Sequence, residues 1–112
     1  MTLKAARNAM ATDWIATLKE QARLAQRFAK EVPTAIARPD LTLDQASRIY
    51  GMVEKGSQDF NRIVEDMNGQ NLDDALYVAA GRLKDIWSEL LASTAHKVQA
   101  LEDMHLRECE PR

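Results

Sequence analysis

Apolar residues recur every three to four positions along this chain and nowhere alternate, a spacing that predicts helices and no strands. Three prolines, Pro33, Pro39 and Pro111, leave two long tracts without a helix breaker. In the first, Met10, Trp14, Leu18, Ala22, Ala25, Ala29 and Val32 step along one side, with Leu24 and Phe28 widening it. Helix one is therefore predicted over residues 3–31 or 13–31, according to whether Thr2 or Thr12 caps it by accepting a bond from a free backbone amide. The residue before a proline is pushed out of the helical region, so Val32-Pro33 is expected to end the helix and open a loop over 32–42.

The next tract opens on Thr42-Leu43-Asp44-Gln45, a capping box in which the Thr42 hydroxyl and the Gln45 amide each satisfy the other's backbone N–H. Helix two is predicted over 43–67, with Ala46, Val53, Phe60 and Met67 spaced by sevens along its buried seam. Asn68-Gly69 is expected to stop it through a left-handed glycine. After a turn at 68–71, Asn71-Leu72-Asp73-Asp74 caps helix three, predicted over 72–109, whose apolar stripe runs from Leu72 through Leu83, Ile86, Trp87 and Leu90 to Val98 and Leu101.

Such a short turn makes helices two and three antiparallel, and facing residue numbers should total about 139. Phe60 then faces Ala79, Val53 faces Ile86, and Ser57 comes close to Gly81, which would let the two backbones approach. At about 1.5 Å per residue, helix two is roughly 37 Å long and helix three roughly 55 Å, so helix three should project past its neighbour from near Lys97 onward. The projecting part still carries Val98, Leu101 and Met104, flanked by His105, and this apolar surface is the expected interface. The fold expected is all-α: an elongated up-down-up three-helix bundle built on a long antiparallel helical hairpin, forming one domain over residues 1–112 and associating as a homodimer or larger homo-oligomer.

Composition narrows the function. With 112 residues, 46% apolar and 29% charged, the chain is too apolar for a disordered tail, and its longest uncharged apolar stretch, Ala75 to Ala80, is too short for a membrane span. The single Cys109 can close no disulfide within the chain and build no thiolate zinc site, and the first residues carry no apolar run of signal-peptide length. The expected location is therefore cytoplasmic.

Residues 1–40 carry a net charge of +3 and residues 41–112 one of -5. Lys19, Arg23, Arg27 and Lys30 form one helical basic stripe, read as a solvated face or as a complement to the acidic hairpin. The overall charge of -2 and the lack of any nucleic-acid-binding motif make DNA or RNA an unfavoured partner. Glu102 and His105 make a single Glu-x-x-His, the spacing that turns both side chains to one side of a helix, as di-metal carboxylate bundles require. Such a site needs a second copy and further carboxylates, with Glu31, Glu54 or Glu65 as candidates, so a dimer would have to complete it. No phosphate loop, nucleophile elbow or Cys/His pairing appears, hence no enzyme and no cofactor is expected. The reading these features favour is a non-catalytic protein-protein interaction or adaptor module that self-associates through amphipathic helices. The rivals are an amphipathic coat protein adsorbing to a lipid or granule surface and the di-metal site in a dimer.

Overall fold

The computed structural model describes residues 13–109, and their side chains except those of residues 105 and 107–109. Three helices fill this span: α1 (Trp14–Ile36), α2 (Leu43–Asn68) and α3 (Asp74–Cys109). Among the described residues there is no strand. The chain is an all-α three-helix bundle, as the spacing of its apolar residues predicts.

Asp13 caps α1, its carboxylate accepting from the Ala16 N–H at 3.2 Å; Thr2 and Thr12 lie outside the described residues. The expected end at Glu31 is corrected, because α1 runs through Pro33 to Ile36. A proline near a helix end forfeits its own N–H bond and strains one turn, but here it is flanked by core anchors. Val32 is buried, Ile36 packs against the core one turn later, and the Ala37 N–H reaches the Pro33 carbonyl at 3.1 Å. Pro39 falls in the break that follows, where the Arg38 guanidinium holds Asp40 at 3.2 Å and keeps its carboxyl below the usual carboxylate range. The loop is thus only residues 37–42, with Leu41 buried inside it.

The α2 capping box is present in full: the Gln45 N–H donates to Thr42 Oγ1 at 3.1 Å, and the Thr42 N–H donates to Gln45 Oε1 at 3.0 Å. Ala46, Val53, Phe60 and Met67, the seam spaced by sevens, are all buried. The expected left-handed stop at Gly69 is absent, since this glycine has φ -80° and ψ -2°. The turn closes instead on right-handed geometry, with the Gly69 N–H on the Asp66 carbonyl at 3.3 Å and the Gln70 N–H on the Met67 carbonyl at 2.9 Å. Tyr77 replaces the missing glycine device. Its hydroxyl lies 2.6 Å from the Gln70 carbonyl and 3.0 Å from that of Met67, with its one proton for the two, and it accepts from the Leu72 N–H at 3.4 Å. Helix α3 then begins at Asp74 instead of Leu72, because Asp73 turns its carboxylate to the Ala75 N–H and takes the cap position.

Residues of α1 and α3 climb together, Ile15 and Leu18 near Leu76 and Phe28 against Trp87, whereas α2 descends past α3, Gly56 meeting Trp87 and Met67 meeting Tyr77. The order is up-down-up. Helix α3 packs broadly against both others, while α1 and α2 meet along a narrow strip only. The hairpin register lies about one turn beyond the expected one, because the loop over 69–73 is longer than a tight turn.

That shift moves the close approach from Gly81 to Gly56. A Cβ on Gly56 would stand 2.5 Å from Trp87 Cη2 and 2.8 Å from Cζ3, so glycine is required to admit the indole. Gly81 is exposed with nothing near its missing Cβ, and Gly51 likewise. Substituting Ala at Gly81 should therefore stabilise the bundle by about 0.5 to 1 kcal/mol, the helix-propensity gain with no steric cost, read from urea unfolding.

Trp87 is the centre of the core, 1% exposed, its ring edge-on to Phe28 at a centroid distance of 5.3 Å. Phe60, Val53, Leu83, Leu90 and Ala25 belong to the same buried core. Thr94, also buried, is accommodated because its hydroxyl donates back to the Leu90 carbonyl at 2.7 Å. The ion pairs among the described residues are all exposed, and pairs of that kind contribute at most about 1 kcal/mol each. Apolar packing on α3 therefore carries the stability.

Candidate interaction surface

Among the described residues, two features of α3 leave apolar surface uncovered. The first is an open groove of ≈ 450 Å³ between α1 and the first half of α3, floored by Leu18, Ala22, Leu76, Ala79, Leu83 and Ile86. It exists because small alanines, Ala22 and Ala79, sit where the two helices face each other and do not fill the space between them. Ile15, 59% exposed, stands at its lip. Lys19 on α1 and Arg82 on α3 stand at the opposite walls, and neither is ion-paired among the described residues. The groove is greasy at the bottom and cationic at the rim. Sequence reasoning missed it, since the apolar periodicity shows which residues face a neighbour but not how completely their volumes fill the gap.

The second feature is the end of α3. The register shift carries the start of α2 further along α3 than expected, so that Leu43 shares a shallow depression with Gln99, Glu102, Asp103 and Leu106. The uncovered part therefore begins near Leu101 instead of near Lys97. Val98 and Leu101 are half-buried, whereas Met104 is 56% and Leu106 65% exposed. The side chain of His105, the fourth residue of the expected interface, lies outside those described. A smaller hollow of ≈ 140 Å³ between α1 and α2, lined by Phe28, Val32, Ile49 and Met52, reflects the thin contact between those helices.

Other sequence candidates fall away from these features. Lys19, Arg23, Arg27 and Lys30 are all exposed along α1, and Arg27 pairs with Glu31 of the next turn at 3.4 Å; only Lys19 belongs to the groove. Glu102 is exposed beside Leu43. Among the described residues no three His, Cys, Asp or Glu side chains gather as a metal site would need, and Glu31, Glu54 and Glu65 lie on the outer faces of α1 and α2. Among the described residues, two buried polar atoms, Trp87 Nε1 and Gln21 Oε1, have no hydrogen-bond partner; at Trp87 this is a polar cost of the tight packing around the indole. Among the described residues no helix is long and apolar enough to cross a membrane. Comparison with protein-family models, with curated proteins and with solved structures found no match to this chain.

Proposed function

We propose that this chain is a non-catalytic helical interaction module that self-associates through the apolar side of α3, with Val98, Leu101 and Met104 at the contact. The observation that carries the reading is the end of α3, where Met104 and Leu106 remain exposed among the described residues on a regular helix that α2 reaches only through Leu43. A three-helix unit of this size has a thin core, and covering what remains exposed of Leu101 and Met104 against another helix would add part of the about 1.5 to 3 kcal/mol that full burial of such a side chain contributes. The charged residues beside them, Asp103 among these, would set register and orientation.

Leu101→Asp tests this directly. Light scattering of the wild-type chain should give a multiple of 12.6 kDa, and the variant should give 12.6 kDa while keeping its helical circular dichroism. A wild-type chain that is monomeric at every concentration, with the variant melting as it does, would remove the proposal.

A further inference from the structure

The groove floor and the Leu101–Met104 part of the α3 end lie on one stripe of one helix. Ala79, Ile86, Ser93, Lys97, Leu101 and Met104 follow one another by threes, fours and sevens along the edge of the buried Leu83–Leu90 row, so the groove floor and Leu101–Met104 face the same way. They also stand symmetrically about Ser93, which is exposed: Ile86 is seven residues before it and Ala100 seven after, Arg82 eleven before and Met104 eleven after. A surface that carries a hollow on one side of a midpoint and a protrusion at the same distance on the other is complementary to itself turned end for end.

Resting on the self-association proposed above, we infer that the partner is a second copy of this chain, packed antiparallel through α3 about a two-fold axis at Ser93. The Leu101–Met104 end of each copy lies over the α1–α3 groove of the other. Charge chooses this occupant. The groove carries Lys19 and Arg82 on its walls, and the end that would enter it carries Asp103 beside Met104. In the antiparallel register, Arg82 of one copy comes level with Met104 and within one residue of Asp103 of the other, and Glu89 comes level with Lys97 and within one residue of His96. All of these side chains but the half-buried Lys97 are exposed in the single chain, and none is ion-paired among the described residues. A parallel pairing of the same stripe would instead set Asp103 against Asp103 and Arg82 against Arg82, and leave both grooves open.

Single cysteines in a Cys109→Ser background separate the arrangements. Under mild oxidation of the full chain, Ser93→Cys should give a covalent dimer in high yield. Met104→Cys should give none, because residues 104 of the two copies would stand about 33 Å apart. Arg82→Asp and Asp103→Arg should each weaken the dimer at least about ten-fold, and the two together should restore it. Efficient cross-linking through Met104→Cys but not Ser93→Cys, in a chain still dimeric by light scattering, would overturn the antiparallel arrangement and leave self-association standing. A monomer throughout would overturn both. Retained helical circular dichroism in each variant shows that the readout concerns the interface and not the fold.

Discussion

Trp87→Ala is expected to lower the unfolding free energy by about 3 to 5 kcal/mol, the largest loss of any single truncation in the chain. The indole is 1% exposed and touches all three helices: it stacks edge-on against Phe28 of α1, fills the notch at Gly56 of α2, and belongs to α3. Its loss leaves a cavity that the stiff helices around it cannot close, and a chain of 112 residues has only about 5 to 15 kcal/mol in total. The buried Nε1–H has no partner, so part of the ring's packing gain is offset by an unsatisfied donor. Trp87→Phe, which removes that donor and keeps a ring, should therefore cost much less than Trp87→Ala. Urea unfolding followed by circular dichroism, at one fixed protein concentration, measures both.

Gly56→Leu should cost about 2 kcal/mol or more, although leucine is by far the better helix former. Two effects oppose each other. Replacing a mid-helix glycine gains about 1 kcal/mol of propensity, but a Cβ at this position already falls 2.5 Å from Trp87 Cη2, and the indole has no free side to retreat to. Overpacking wins. The same change at Gly81, where nothing lies within reach of a Cβ, should have little effect or stabilise. Combining Gly56→Leu with Trp87→Leu should recover at least about 1 kcal/mol relative to the sum of the single changes, since the two side chains compete for one volume. Additive behaviour would show that the notch and the indole are not coupled.

The fold class and most helix positions were legible because they depend on local chemistry. The Thr42–Gln45 capping box forms as read, and the seam spaced by sevens is buried from Ala46 to Met67. What the sequence hid depends on competition between local preference and packing. Val32 and Ile36 carry α1 through Pro33 because their burial outweighs one lost backbone bond. Gly69 stays right-handed because Tyr77, seven and ten residues from the carbonyls it approaches, ties the turn from outside. That five-residue turn shifts the register by about one turn, and with it the close helix approach moves from Gly81 to Gly56. The apolar end of α3 could be read from helix lengths alone. The groove beside Lys19 and Arg82 could not, since it depends on how much of the gap between two helices two particular alanines leave unfilled.

The central claim, that the uncovered side of α3 is covered by another copy of the chain, is tested most directly by thermal unfolding of the wild-type protein over a hundred-fold range of concentration. Association that stabilises the folded state makes Tm rise with concentration, and Leu101→Asp should abolish the dependence. A Tm that stays constant across the whole range in the wild type, with a mass of 12.6 kDa at its upper end, would contradict the account.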